Sequence, residues 1–420
     1  MPVPEGRLAR LRASVLHGAA GPLDRLRARF PPAGLLAWAV LLMTAALGLD
    51  TERSMAYQLF TFTAAALVLA AVAARAGRPT ASASWRLPRH GTAGEPLPCV
   101  LTLTAGGRGL RGVEASALRG RWPAPSREWV PVPDCAARGS VEVPLRFVSE
   151  RRGRLRVSGA LLARPDPLGL VRALRVEPAE ASTLILPRRY PAPLLALPGS
   201  RRYQQGGVAS SSSVGESQEF MAMRDYRPGD PLRKIHWKSW AKTGRPIVKE
   251  YQDEYFVRHA LALDTAGLAG PVFEEAVSVA ASFAATVPAG DTMLDLLFVG
   301  AGAYCYSAGR GLGAADRLLE VLACVEPAPA GSFATLASSV LLRAPAMSGC
   351  ICVLLGLDEA RRDFLRRLRA AGVPTLALVV REPGGPPLGE TEGARVLEVG
   401  RAAEGLAGLA PGGTGWGLAR

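Results

Sequence analysis

The sequence predicts a multi-domain protein with two N-terminal transmembrane helices, an all-β sandwich domain and a C-terminal α/β domain with a mostly parallel sheet. Three patterns along the chain predict this architecture. Two uncharged apolar runs lie near the N-terminus, short alternating runs bounded by glycine and proline fill the middle, and strands alternate with helices after residue 258. The spacing of apolar residues differs between these three parts, so we expect the domains to follow one another along the chain.

Residues 33–49 and 55–74 carry no charge, and each run is close to the length that crosses about 30 Å of hydrocarbon as a helix. Residues 50–54 separate them, which predicts a tight hairpin. Arginines flank the pair on its outer sides, namely Arg7, Arg10, Arg12, Arg25, Arg27 and Arg29 before it and Arg75, Arg78, Arg86 and Arg89 after it. By the positive-inside bias, we expect a multi-pass protein of the inner (cell) membrane with both termini and the soluble domains in the cytoplasm. A buried helical hairpin of a soluble protein is the alternative.

The middle of the chain predicts short strands separated by turn signals. The expected strands are 97–103, 140–147, 155–162, 168–176 and 183–186. Because no long helical pattern interrupts them, they favour a β-sandwich. A stretch rich in glycine and serine follows at 199–217 and predicts a flexible linker.

The C-terminal part alternates between strands and helices. Strands are expected at 260–263, 293–299, 304–307, 351–355 and 373–380, and helices at 271–286, 314–325, 333–343 and 359–371. This rhythm predicts a mostly parallel sheet covered on both faces, in which ligands bind beyond the carboxyl ends of the strands. Asp264 and Asp358 are expected at such positions. Beyond residue 381 we expect a loose tail rich in glycine and proline, with at most an edge strand at 395–399.

These patterns divide the chain into predicted segments: 1–32 basic N-terminal segment, 33–74 transmembrane hairpin, 81–189 β-sandwich, 199–217 linker, 218–258 signature segment, 259–381 α/β domain and 382–420 tail. The six cysteines have no metal-binding spacing, which agrees with a reducing compartment. Cys350 and Cys352 lie two apart in an apolar run, so a strand would point both to one buried face.

All four lysines of the chain lie within the lysine window, residues 234–249, whereas the other 46 basic residues are arginine. An ammonium group is a compact, rotatable donor and differs from a planar guanidinium. Lys234, Lys238 and Lys242 recur every four residues, which would place them on one face of a helix. Asp230 is expected near the start of that helix, where a carboxylate caps backbone amides. Two interpretations remain open, a solvated or fold-defining segment and a surface for a ligand or partner.

A distinctive motif occupies the signature segment. Its residues are Tyr226, Arg227, Pro228, Gly229, Asp230, Arg233, Ile235, Trp237, Ala241 and Lys242. Together with the strand that ends at Asp264, this motif resembles the signature of the bacterial domain-of-unknown-function fifty-eight family, and residues 152–153 and 166–170 also match elements of that family. The resemblance implies a von Willebrand factor A-like fold for 259–381 and two N-terminal transmembrane helices. It also implies an adaptor that works with a MoxR-type AAA+ ATPase and other membrane-associated proteins.

Domains of the von Willebrand A type often bind magnesium through Asp-x-Ser-x-Ser after the first strand. Here Asp264 is followed by Ala266 and Leu268 at the two hydroxyl positions. Because a hard dication needs oxygen ligands, we expect no metal and no cofactor. Asp264, Thr265 and Asp358 are the remaining candidate ligands.

The sequence predicts a binding protein and not an enzyme. It contains no phosphate-binding loop, and His17, His90, His236 and His259 form no spaced constellation with a nucleophile. The expected function is a membrane-anchored cytoplasmic scaffold or adaptor, with the lysine window as a candidate contact. The alternative is a polyanion-binding membrane protein, because the lysines interleave with Trp237 and Trp240. Anionic lipid fits a membrane tether better than nucleic acid does.

Overall fold

The computed structural model describes residues 28–47, 54–119, 129–191, 220–230, 232, 235–251, 257–267, 269–286, 292–308, 313–385, 391 and 393–409. These residues fall into two compact units, within 1–188 and 189–420. The predicted linker at 199–217, most of the N-terminal basic segment and the turn of the predicted transmembrane hairpin lie outside the described residues.

Two apolar helices open the first unit, α1 (Pro32–Leu47) and α2 (Ser54–Ala76). Among the described residues, one helix is long and apolar enough to cross a membrane, Met55–Ala76. Only 22% of its most apolar part is buried inside the protein, unlike the core helix of a soluble domain. With 16 residues, α1 is apolar but shorter. The structure therefore supports one candidate span and does not confirm the predicted second one.

The β-rich region that the sequence predicts is confirmed. Its strands are β1 (Ala81–Arg86), β2 (His90–Thr92), β3 (Pro96–Ala105), β4 (Val113–Arg119), β5 (Val130–Val132), β6 (Ser140–Val148), β7 (Gly153–Pro165) and β8 (Arg172–Leu186). They form two sheets, with strand orders β1-β3-β6 and β2-β8-β7-β4-β5. Alternate residues of β3 and β6 point inward, and these meet residues of β4 and β7 in one apolar core.

The predicted strand at 168–176 is wrong in its first half. Asp166 starts a loop in which its carboxylate accepts the N–H groups of Leu168, Leu170 and Val171 at 2.7–2.8 Å. Gly169 adopts a φ of 68°, which suits glycine. These bonds replace ladder pairing, so β8 begins only at Arg172. It then continues through the separately predicted strand at 183–186.

The second unit contains a two-stranded sheet and a six-stranded sheet. Its strands are β9 (Phe220–Asp225), β10 (Ile247–Tyr251), β11 (Val257–Leu263), β12 (Thr292–Val299), β13 (Ala303–Ala308), β14 (Gly349–Leu354), β15 (Thr375–Arg381) and β16 (Arg395–Glu398). Its helices are α3 (Trp237–Thr243), α4 (Pro271–Thr286), α5 (Ala314–Cys324), α6 (Phe333–Arg343), α7 (Glu359–Ala370) and α8 (Ala402–Ala407). The larger sheet has the order β13-β12-β11-β14-β15-β16 and is parallel except for the antiparallel edge strand β13.

Helices cover both faces of the six-stranded sheet, as the sequence predicts. Apolar residues of α6 and α7 pack on one face in a shared core, and α4 packs against β11, β14 and β15. Strand β14 is buried along its whole length. Cys350 and Cys352 are buried on one face of it with their Sγ atoms 3.6 Å apart, which confirms the predicted packing role.

The segment after residue 381 is not a loose tail throughout. Strand β16 pairs with β15, and α8 follows with Ala402 and Leu406 fully buried. The α/β fold therefore continues to about Leu409. The sequence did not predict this continuation, because glycine is frequent here and the buried apolar residues of β16 and α8 are few and separated by turns.

Candidate functional site

The signature segment folds as a strand pair that carries a short helix. Strands β9 and β10 pair antiparallel, and the connection between them contains a turn and α3. Tyr226 N–H donates to the Pro246 carbonyl at 2.9 Å, and His236 N–H donates to the Ile247 carbonyl at 2.8 Å. Ile235 forms a β-bridge with Val248, and both side chains are buried. These contacts tie both ends of the connection to β10.

Residues 227–230 form a turn, with Asp230 N–H donating to the Arg227 carbonyl at 3.0 Å and Gly229 at a φ of 107°. The predicted helix cap is wrong. The Asp230 carboxylate instead accepts the guanidinium of Arg224 through two bonds of 2.7 and 2.8 Å, and the Arg227 N–H at 2.9 Å. These bonds, with Arg224 the largest cause, lower the pKa of Asp230 to about 2. Asp230 therefore stabilises the turn as an anion.

Helix α3 begins at Trp237, later than the lysine spacing predicts. Its N-terminal neighbour His236 bonds to β10, and Ile235 is held in the bridge, so the chain is extended before the helix starts. Because Lys234 lies outside the described residues, the predicted row of three lysines stays a prediction, and the described part of the helix carries two of them. Lys238 and Lys242 lie on α3 and are exposed. Arg233 also lies outside the described residues.

The two tryptophans of α3 form a pair in which Trp237 is exposed and Trp240 is half-buried. Their ring centroids lie 5.2 Å apart and their planes differ by 21°, a stacked arrangement. Helix α3 has no buried residue, and the exposed fraction of Trp237 is 63%. Leu232 and Met223 are also exposed in this segment. Among its described residues, the segment therefore presents aromatic, apolar and basic side chains outward.

The segment also contains a pair of polar side chains that the sequence analysis did not predict. His236 Nδ1 and Ser239 Oγ lie 2.6 Å apart at the start of α3, and the Ser239 hydroxyl also points to the Met223 sulfur at 3.4 Å. The spacing of three residues between His236 and Ser239, at the start of a helix, is the sequence pattern that could have predicted this contact. The pair holds the imidazole ring at the start of α3.

A second candidate site lies where β11 and β14 end. Strand order reverses between these neighbours, and ligands in open α/β sheets bind at such a switch point. Asp264 is fully buried there. Its carboxylate accepts the Ala266 N–H at 2.9 Å and the Leu355 N–H at 3.1 Å. The next residue, Thr265, donates its hydroxyl to the Val299 carbonyl at 2.6 Å.

Arg361, which the sequence did not single out, joins the candidate metal ligands. Its guanidinium donates to Asp264 through Nε at 2.7 Å and to Asp358 at 2.5 Å. Asp358 also caps α7 by accepting the Arg361 N–H at 2.9 Å. The guanidinium lies 4.6 Å from the ring centroid of Phe333. The structure therefore brings Asp264 and Asp358 together around an internal cation.

This arrangement differs from a cation site built of oxygen ligands. The side chain of Arg361 is 11% exposed, so its positive charge is held within the fold, where it compensates a carboxylate with no exposure. The described residues contain no group of three or more His, Cys, Asp or Glu that could hold a metal ion. Its ion pairs therefore hold the end of β11 against the start of α7.

Taken together, fold and geometry define a protein with a β-rich unit next to a candidate membrane helix and an α/β unit with an exposed aromatic and basic segment. Within the second unit, residues 222–389 match the family model described as "Protein of unknown function DUF58". These residues thus match the family that the motif of the signature segment predicts. The match includes the strand pair, α3 and the switch point.

A curated relative is the "Uncharacterized protein YeaD" of Bacillus subtilis (strain 168), which is 32% identical over 85 residues. That stretch covers 20% of this chain and 21% of the relative. Two solved structures of the CARDB domain of PF1109 from Pyrococcus furiosus, one in solution and one crystallised in complex with di-metal ions, cover 26% of this chain. The aligned regions include 95% and 94% of those two chains, with 12% sequence identity and TM-scores of 0.19 and 0.20. Scores this low carry no structural argument.

Proposed function

We propose that this protein is a membrane-anchored scaffold whose α/β unit binds a protein partner through the signature segment. Helix α2 supplies the anchor, since Met55–Ala76 is long and apolar enough to cross a bilayer. The arginines that flank the apolar region favour a cytoplasmic location for the soluble units at the inner membrane. In this arrangement the β-rich unit connects the anchor to the binding unit.

The observation that carries this proposal is the exposed Trp237 of α3, which stacks on the half-buried Trp240. Tryptophan is enriched among residues that dominate binding energy in protein interfaces, and contiguous exposed apolar surface marks interaction sites. Trp237 is 63% exposed although it is stacked on Trp240. Lys238 and Lys242 are exposed on the same helix. An apolar centre with a basic rim fits a partner surface that has an apolar groove and acidic surroundings.

The proposed partner is a MoxR-type AAA+ ATPase, as the family resemblance implies. The proposed fold of the α/β unit is von Willebrand A-like, which the parallel sheet with one antiparallel edge strand supports. Because Arg361 holds the carboxylates at the switch point, partner capture is proposed to depend on packing and charge and not on a bridging metal. We propose no catalytic activity, and the pairing of His236 with Ser239 is assigned a positioning role for α3.

The test is an affinity capture from native membranes with the full-length protein, scored by mass spectrometry. One variant carries Trp237→Ala with Trp240→Ala, and a second carries Lys238→Gln with Lys242→Gln. A matched control carries Arg317→Gln with Arg401→Gln, which removes two exposed charges elsewhere in the same unit. All variants are first compared by thermal unfolding to establish that they are folded.

We expect an AAA+ ATPase to be recovered with the intact protein and the control, and to be lost with the tryptophan variant. The lysine variant should weaken recovery. If no ATPase is recovered with the intact protein, the adaptor function loses its support.

The alternative is a polyanion-binding surface, which the stacked tryptophans beside two exposed lysines also favour. Its distinguishing property is a steep fall of affinity with salt, because each phosphate contact releases counterions. Retention of nucleic acid or anionic vesicles by the intact protein, lost in the lysine variant and at high salt, would select this alternative.

A further inference from the structure

The junction between the apolar helices and the β-rich unit is built by the Asp166 loop, residues 166–171. Ala70 and Ala74 of α2 form one buried apolar cluster with Val171 and Ala173, and Leu170 packs against it. The loop also approaches α1, since a Cβ added to Gly34 would collide with the carbonyl oxygen of Leu170. The loop therefore contacts the first turn of α1 and the last two turns of α2.

The Asp166 loop is rigid and apolar at its tip. The three amide bonds to the buried Asp166 carboxylate fix its backbone, and Gly169 N–H donates to the Asp166 carbonyl at 3.0 Å. Leu168 lies at the tip with an exposed fraction of 54%. A leucine held outward on a fixed loop keeps its apolar surface in water unless something covers it.

The position of the loop along α2 sets its depth in a bilayer. From Met55 to Leu69, α2 is about 22 Å long at about 1.5 Å per residue, which is shorter than the hydrocarbon core of about 30 Å. If α2 spans the membrane, part of the segment beyond Leu69 must therefore lie within the bilayer. The loop packs against Ala70 and Ala74 in that same segment. It then lies at the boundary between headgroups and acyl chains.

Basic side chains surround this junction. Arg108 donates to the carbonyl of Ala76 at the end of α2 at 3.3 Å, and a Cβ on Gly77 would lie 3.6 Å from the Arg164 side chain. Exposed arginines near the helix ends are Arg29, Arg75, Arg78, Arg108 and Arg164. Each basic group close to an anionic leaflet gains attraction to it.

We propose that the Asp166 loop docks the β-rich unit on the membrane, with Leu168 inserted at the acyl boundary and Arg108 and Arg164 facing anionic phospholipid headgroups. The occupant of this surface is the lipid of the leaflet in which α2 ends. The inference rests on the membrane anchor of the proposed function. It adds a fixed orientation of the β-rich unit at the bilayer surface.

The test uses full-length protein in nanodiscs of phosphatidylglycerol or phosphatidylcholine, with the photo-crosslinker p-benzoylphenylalanine at one position at a time. The positions are Phe62 on α2, Leu168 on the loop and Val148 on β6. Val148 is exposed like Leu168, but it pairs with Pro96 at the start of β3. The other end of β3 lies close to the end of α2, because Gly106 N–H donates to the carbonyl of Thr80, four residues after that helix. Val148 therefore lies about 30 Å along the strand from that end.

We expect lipid adducts at positions 62 and 168 and none at 148. Adduct at 62 without adduct at 168 would overturn the docking proposal while leaving the anchor intact. Absence of adduct at both positions would overturn the anchor itself, and equal adduct at all three would show unspecific contact and overturn the docking as well.

The arginines are tested by the preference for the anionic lipid. In the protein with the crosslinker at 168, Arg108→Gln with Arg164→Gln should reduce the ratio of adduct in phosphatidylglycerol to adduct in phosphatidylcholine toward one. Arg146→Gln with Arg151→Gln, at the far end of β6, should leave that ratio unchanged. An unchanged ratio in the first variant would remove the headgroup contact from the proposal.

Discussion

His259 couples the stability of the α/β unit to pH. It lies in β11 with an exposed fraction of 8%, and its Nδ1 has no hydrogen-bond partner in the part of the chain that the structure describes. Burial lowers its pKa from 6.5 to about 4, because a buried imidazolium lacks the solvation that water gives. The neutral imidazole is therefore the form that the fold accommodates.

The sign of the pH effect follows from this pKa. Below pH 6.5 the unfolded chain binds a proton that the folded chain does not, so the free energy of unfolding falls as the pH decreases toward 4. A shift of this size corresponds to about 3 kcal/mol at pH 4. The measurement is urea unfolding of the α/β unit in the full-length protein between pH 7 and pH 4.

His259→Leu should remove this part of the pH dependence, whereas His90→Gln in the β-rich unit should leave it unchanged. Equal slopes in the intact protein and the His259→Leu variant would show that His259 is already protonated, or accessible, in the folded state.

At the scale of elements, Arg361 joins the end of β11 to the start of α7. It supplies the cation for the fully buried Asp264 and also bonds the exposed Asp358. Removing one partner of a buried ion pair leaves the other charge uncompensated, which commonly lowers the free energy of unfolding by about 3–5 kcal/mol. We expect Arg361→Gln to lower the free energy of unfolding of the α/β unit by about that amount. Arg361→Lys should lower it by less, because lysine keeps the positive charge and loses only the planar fork.

Arg367→Gln is the matched control on the same helix. Arg367 pairs with Asp363 at 2.8 Å, but its side chain is 67% exposed, so we expect a loss of roughly 0.5 kcal/mol or less. Urea unfolding measures all three variants. A loss for Arg361→Gln no larger than for Arg367→Gln would mean that the buried pair does not form in solution.

The elements that could be predicted are those whose apolar residues follow a clear period. Strand β3 alternates buried and exposed residues, and α4 has an apolar face of many buried residues, so both were expected close to where they lie. Strand β4 was missed, since its inward residues Ala115 and Ala117 are too small to mark a buried face. Helix α8 was missed because glycine interrupts its six residues.

The two candidate sites differ in how far sequence could predict them. The turn at Arg227–Asp230 is local, and its proline and glycine specify it. The late start of α3 depends on the pairing of His236 and Ile235 with β10. The contact of Arg361 with Asp264 joins residues 97 positions apart, and no local pattern records it.

At the scale of the whole molecule, the proposed anchor allows two topologies, one crossing through α2 or two crossings through α1 and α2. Helix α2 has 23 residues and is about 34 Å long, whereas α1 has 16 residues and is about 24 Å long. A helix shorter than the hydrocarbon core can still span where the bilayer thins locally, at a modest cost per ångström. One crossing and two crossings place the N-terminus on opposite sides of the membrane.

Reporter fusions decide between these topologies, and we expect two crossings. A single crossing with a cytoplasmic C-terminus would leave Arg7, Arg10, Arg12, Arg25, Arg27 and Arg29 on the outer side, against the positive-inside bias. Green fluorescent protein at either terminus should therefore fluoresce, and alkaline phosphatase inserted after Thr51 should be active. As a control, deletion of residues 32–53 leaves α2 alone and should place the two terminal reporters on opposite sides of the membrane. An active phosphatase at the N-terminus of the intact chain, beside a fluorescent C-terminus, would establish α2 as a single span and make α1 a helix that lies at the membrane surface.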